Sequence, residues 1–134
     1  MNLYEFKKEN SKKICNTKPC LWAFRVEKVK EKLGWNLGNR FERPGITFSL
    51  LMENYLVVFL TRKTNGELSL NLKELCKSLC EGLEEEKVRV FRDYSSGIRI
   101  FRLPAKFIND VATYCSSCEE EVKNLIEKYY REEL

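Results

Sequence analysis

The chain of 134 residues contains no histidine and only two aspartates, Asp93 and Asp110. Without histidine, catalysis by Ser-His-Asp or Cys-His groups and metal binding through imidazole are excluded. Two aspartates far apart in the chain also make the acidic cluster of a two-metal nuclease difficult to build. We therefore expect a protein that is not an enzyme and that needs no cofactor.

Long hydrophobic runs are missing as well. No segment approaches the roughly 20 apolar residues of a membrane span, and the first ten residues lack the apolar core of a signal peptide. We expect a cytoplasmic protein with no membrane partner.

Positive charge is concentrated early: residues 1–63 hold thirteen Lys/Arg against six Glu, although the net charge of the chain is only +4. Such a basic region suggests a surface that could meet a polyanion, although charge alone slightly favours a solvated Lys/Glu surface with no partner.

The six cysteines fall into three close pairs. Structural disulfides or buried thiols are the favoured interpretation, followed by a zinc site and then by redox chemistry at the C-terminal CxxC spacing. The pairs are Cys15 with Cys20, Cys76 with Cys80, and Cys115 with Cys118.

Hydrophobic periodicity predicts one α+β domain over 1–134, with residues 1–20 available as a basic arm. The expected order is α-ββ-α-ββ-α-α, in which two β-hairpins form a four-stranded antiparallel sheet packed by helices. A nearly continuous apolar run over 55–60 indicates a strand covered on both faces. The predicted elements are a helix over 21–33 ending at Gly34, a loop over 34–45, strands 46–52 and 55–62, a helix over 71–82, strands 88–92 and 98–102, a helix opened by Pro104, and a last helix capped by Ser117.

Two similar segments, Val-Arg-Val-Phe-Arg ending at Arg92 and Ile-Arg-Ile-Phe-Arg ending at Arg102, form the predicted second hairpin. Strand side chains alternate between faces. A register that places Phe91 opposite Arg99, and Arg89 opposite Phe101, would gather two rings and two guanidinium groups on one face. Such a face suits stacked bases and phosphates of single-stranded nucleic acid. The alternative is that the phenylalanines are core residues and the arginines only flank them.

The loop over 34–45 repeats this aromatic and basic chemistry with Trp35, Arg40, Phe41 and Arg43. Long loops in compact domains are frequently functional. The same residues suit a plain connector, in which the aromatic side chains fill the edge of the core.

In element order and in the Arg/Phe pattern of its predicted sheet, the region from 46 to 130 resembles the ThermoDBP-type single-stranded DNA-binding proteins of hyperthermophilic archaea. The resemblance implies a small antiparallel sheet bounded by helices, a basic and aromatic cleft, and self-association through helices. It places Arg89, Phe91, Arg99 and Phe101 in that cleft.

The leading hypothesis is a non-catalytic protein that binds single-stranded nucleic acid, DNA before RNA. In it Arg89, Arg92, Arg99 and Arg102 contact phosphates, while Phe91 and Phe101, with Trp35 or Phe41, stack bases. One alternative is an adaptor that forms homo-oligomers, and another is a thiol redox protein. The assembly face of the adaptor would be the apolar stripe of the last helix, formed by Val122, Leu125, Ile126, Tyr129 and Tyr130.

Overall fold

A computed structural model describes residues 18–61, 69–70, 88–92 and 96–131. The side chains of residues 69–70, 88–89 and 114–116 are outside this description. So are the predicted helix over 71–82, most of the proposed N-terminal arm, and Cys15, Cys76 and Cys80.

The segment predicted as one helix over 21–33 divides into two elements. Strand β1 covers Cys20–Arg25 and helix α1 covers Val26–Leu33. The prediction was wrong for the first half because Trp22 and Phe24 also satisfy the two-residue period of a strand, and bulky aromatic residues favour pleated structure. The end of the helix is confirmed: Gly34 has φ of +74°, and its N–H donates to the carbonyl of Lys30.

The first predicted hairpin is confirmed, although its first strand begins earlier than expected. Strand β2 covers Glu42–Leu51 and strand β3 covers Asn54–Thr61. Met52 and Glu53, which connect them, have positive φ angles of 49° and 66°. This is the turn geometry that matches the twist of an antiparallel hairpin.

The second predicted hairpin is wrong. Strand β5, Val88–Val90, pairs with Leu60 and Thr61 near the end of β3, and also with the short strand β4, Ser69–Leu70. Strand β6, Ile100–Pro104, pairs with the earlier part of β3, from Asn54 to Val58. The two similar segments therefore share one edge of β3 instead of pairing with each other.

The C-terminal part contains a strand where a helix was predicted. Pro104 is followed by a 3-10 helix, Ala105–Phe107, and by the short helix α2, Ile108–Val111. Strand β7, Ala112–Ser117, then pairs with β1. Helix α3 covers Glu120–Tyr129 and starts two residues later than the predicted cap, since its N-cap is Glu119.

The α+β class and the antiparallel sheet are confirmed, but the sheet is larger than the predicted four strands. Its main body has five strands in the order β6-β3-β2-β1-β7, and β5 and β4 extend it along the end of β3. In the described part of the chain, no helix is long and apolar enough to cross a membrane.

Both faces of the sheet are covered. Alternate residues of β3 enter two separate apolar clusters, which confirms the expectation for the run over 55–60. Residues of α1, the following loop and α2 cover the first face, and α3 covers the second. The first cluster includes Trp22, Phe24, Val29, Leu37, Tyr55, Val57, Phe59, Phe91, Phe101 and Ile108, and the second includes Leu21, Ile46, Phe48, Leu56, Val58, Leu60, Val90, Val122 and Ile126.

Candidate nucleic-acid interface

The predicted Arg/Phe face is not formed. Only 2% of Phe91 and 3% of Phe101 reach solvent, and both rings belong to the first apolar cluster. The register that would have brought them together requires β5 to pair with β6, whereas each of these strands pairs with β3. These two rings therefore serve the core, as the alternative interpretation held.

The neighbours of Phe101 show the same role. Its ring centroid lies 5.1 Å from that of Phe59 and 4.8 Å from that of Trp35. Trp35 is itself half-buried and also meets Phe59 at 6.2 Å. Edge-on and tilted packing at these distances is the preferred geometry of aromatic pairs in a core. Of the two explanations for Trp35, filling the edge of the core is the one that its contacts support.

The arginines of the same segments are arranged differently from the prediction. Arg92 and Arg102 are exposed and Arg99 is half-buried, while the side chain of Arg89 is outside the description. Arg92 lies against Gly97, where an added Cβ would be 3.3 Å from a guanidinium nitrogen. Since Phe91 and Phe101 are buried, neither of the predicted stacking rings is open to solvent next to Arg92 or Arg102.

Arg43, which the sequence placed in the binding loop, is buried, with 8% of its surface exposed. Its Nε donates to the carbonyl of Leu37 at 2.8 Å and its Nη1 to the carbonyl of Leu60 at 2.9 Å. Its guanidinium carbon lies 4.4 Å from the centroid of the Phe91 ring. The structure thus places Arg43 in the interior and not on the surface of the loop, because carbonyl oxygens and an aromatic face surround this cation.

Phe41 is the exception among the described phenylalanines, since 70% of its surface is exposed. The guanidinium carbon of Arg25 lies over the ring, 4.7 Å from its centroid. Arg40, the preceding residue, is also exposed. We call Arg25, Arg40 and Phe41 the Phe41 patch.

The backbone holds this patch in place. Val26 donates its N–H to the carbonyl of Phe41 at 3.2 Å. In the antiparallel pairing of β1 with β2, Arg25 lies opposite Glu42. Sequence reasoning missed Arg25 because it assigned this residue to a helix. The signal that would have found it is the alternation in β1, where Arg25 follows the buried Phe24 and ends the strand.

The described cysteines differ from one another. Cys20 is a buried free thiol, so the predicted pair with Cys15 is not a disulfide. Cys118 is disulfide-bonded, and its partner is outside the described side chains. Cys115 lies in β7, three residues earlier.

In the part of the chain that the structure describes, no group of three or more His, Cys, Asp or Glu side chains is arranged to hold a metal ion. Comparison with models of protein families, with curated proteins and with solved structures gave no match. The resemblance to the ThermoDBP-type proteins stays a prediction, and the case for function depends on the chemistry of the Phe41 patch.

Proposed function

We propose that this protein binds single-stranded nucleic acid through the Phe41 patch. The observation that carries the proposal is a largely exposed phenyl ring with one guanidinium group over it, preceded in sequence by a second, exposed arginine. An aromatic ring can stack on any base, and arginine can neutralise phosphate or stack on a base. The net charge of +4 favours association with a polyanion.

The contrast between Phe41 and the other rings supports this role. Burying a phenylalanine stabilises a fold, and Phe24, Phe48 and Phe59 are all buried. Phe41 is not used in this way, although its backbone is tied to the first residue of α1. A rigid backbone that presents an exposed ring lowers the entropy lost when a ligand stacks on that ring.

We expect wild-type protein to bind fluorescent oligo(dT) or oligo(U) at micromolar concentration and low salt, and Phe41→Ala to weaken binding about tenfold, the loss of one stacked base. Fluorescence anisotropy measures both affinities. Met52→Ala is the matched control, because Met52 is also an exposed apolar residue but lies at the far end of β2. Failure of the wild type to bind either oligonucleotide would reject the proposal.

The charged part of the patch is tested by salt dependence. Each phosphate neutralised on a single strand contributes about −0.7 to the slope of log affinity against log salt concentration. Arg40→Gln should make the slope less steep by about that amount. Arg102→Gln is the control, since strand spacing and rise place Arg102 roughly 25 Å from Arg25. Equal changes in both variants would indicate diffuse attraction and contradict a site at Phe41.

A second candidate function, self-association through α3, is favoured by the outer face of that helix. Val122, Ile126 and Tyr130 are buried against the sheet, but Leu125 and Tyr129 are 36% and 52% exposed. These two residues are four apart and form one apolar ridge. Exposed Glu121 and Lys128 lie along the same side of the helix, seven residues apart. Two antiparallel copies of α3 can thus place each glutamate beside the lysine of the other copy.

The test of self-association is sedimentation equilibrium. We expect Leu125→Glu to convert a dimer to a monomer, because it puts a charge in the apolar ridge, whereas Ile98→Glu, at an exposed apolar residue elsewhere, leaves the dimer intact. Glu121→Lys alone should weaken the dimer, and adding Lys128→Glu should restore it. A wild-type protein that is monomeric at all concentrations measured would dismiss this candidate.

A further inference from the structure

Arg43 lies two residues after Phe41 but contacts the interior of the protein. Its two hydrogen bonds join separate parts of the chain: Leu37 belongs to the loop after α1, and Leu60 belongs to β3. Its guanidinium also covers one face of Phe91. The segment that carries Arg40 and Phe41 is therefore attached to the core at its C-terminal end by a buried side chain, in addition to the backbone pairing of β2 with β1.

The loop follows the shape of this guanidinium closely. Gly38 has φ of +94°, and a Cβ added there would be 3.1 Å from Nη2 of Arg43. Any side chain at Gly38 would press on the guanidinium and would also adopt a backbone conformation that favours glycine. Leu37, whose carbonyl accepts from Arg43, is completely buried. Leu37 and Gly38, which precede residues 39–42, thus contact the guanidinium of Arg43, which follows them.

We infer that Arg43 is the positioning residue of the Phe41 patch: it fixes the segment that presents Phe41 and Arg40 without contacting the ligand itself. A planar guanidinium suits this role, since it offers donors in several directions within one plane while its face packs on an aromatic ring. Lysine has no such plane and can replace only part of these contacts. The inference rests on the proposed function, because the ligand in question is the single-stranded nucleic acid proposed for this patch.

A double-mutant cycle tests the inference through binding of oligo(dT). If Arg43 acts by positioning Phe41, Arg43→Met weakens binding by about fivefold when Phe41 is present but by less than about twofold in the Phe41→Ala background. Arg92→Met is the matched control: it removes an exposed guanidinium and should have the same effect in both backgrounds. Equal losses from Arg43→Met in both backgrounds would overturn the inference while leaving the proposed function in place.

Arg43→Lys and Gly38→Ala give milder versions of the same change, and either can replace Arg43→Met in the cycle if that variant does not fold. Hydrogen exchange provides a readout that needs no ligand. The amide of Val26 donates to the carbonyl of Phe41, so releasing the segment should speed exchange at Val26 in the Arg43 variants but not in Arg92→Met. Unchanged exchange at Val26 refutes the positioning role even if the protein binds no nucleic acid.

Discussion

Replacing Phe59 with alanine is expected to lower the free energy of unfolding by about 3–5 kcal/mol. The ring is completely buried and lies at the centre of an aromatic group. Its centroid is 5.0 Å from that of Phe24, 5.1 Å from that of Phe101 and 6.2 Å from that of Trp35. Alanine would remove all three contacts and leave a cavity between neighbours held by separate strands and a loop. Urea unfolding followed by circular dichroism measures the loss.

Phe41→Ala is the matched control for this experiment, since the same atoms are removed from an exposed site. Its expected cost is below about 1 kcal/mol, the value of an exposed cation–π contact. The two variants therefore separate stability from binding: Phe59→Ala should affect stability much more, and Phe41→Ala should affect oligonucleotide affinity. Similar losses of stability in the two variants would mean that Phe41 is part of the core, and the proposed interface would lose its basis.

Gly45→Ala should also destabilise the fold, by about 1–3 kcal/mol, because it overpacks the core. A Cβ at this position would lie 2.7 Å and 2.8 Å from two atoms of the Phe24 ring and 3.0 Å from the Phe59 ring. The sign of the change in the free energy of unfolding is informative, since alanine in place of glycine inside a strand ordinarily stabilises a fold by roughly 0.5–1 kcal/mol. Thermal unfolding of the single variant gives the direction directly.

A smaller neighbour should relieve this overpacking. In the presence of Phe24→Leu, the cost of Gly45→Ala is expected to fall, which appears as a coupling energy in the double-mutant cycle. Gly34→Ala provides a contrast, because no atom lies within 4 Å of a Cβ there and only its φ of +74° opposes the change. Additive effects of Gly45→Ala and Phe24→Leu would show that contact with the Phe24 ring is not the cause of the destabilisation.

Local pattern was sufficient for part of the fold. The apolar run over 55–60, the first hairpin and the helix end at Gly34 all depend on residues close in sequence, and each was predicted. The pattern failed where it fits two periods. Trp22, Val26 and Val29 match a helical stripe, yet Trp22 belongs to a strand and pairs there with Gly45 of β2, which is distant in sequence.

The candidate site shows the same division. Alternation in 88–92 and 98–102 assigns side chains to one face or the other, but it does not identify which face meets solvent. Because β5 and β6 both pair with β3, Phe91 and Phe101 enter the core, and the surface that the repeat indicated does not exist. Strand pairing is non-local, so a repeat of five residues cannot specify it.

By itself, the sequence determined that this is an α+β chain without histidine and with an excess of positive charge in its first half. It also showed a loop over 34–45 that carries two arginines and two aromatic residues. Only the tertiary structure decided which of these groups meets solvent. Arg43 is enclosed because the carbonyls of Leu37 and Leu60 and the face of Phe91 converge on it. Phe41, two residues earlier, is left outside because the backbone there pairs with the start of α1, and Arg25 at the end of β1 covers one face of its ring.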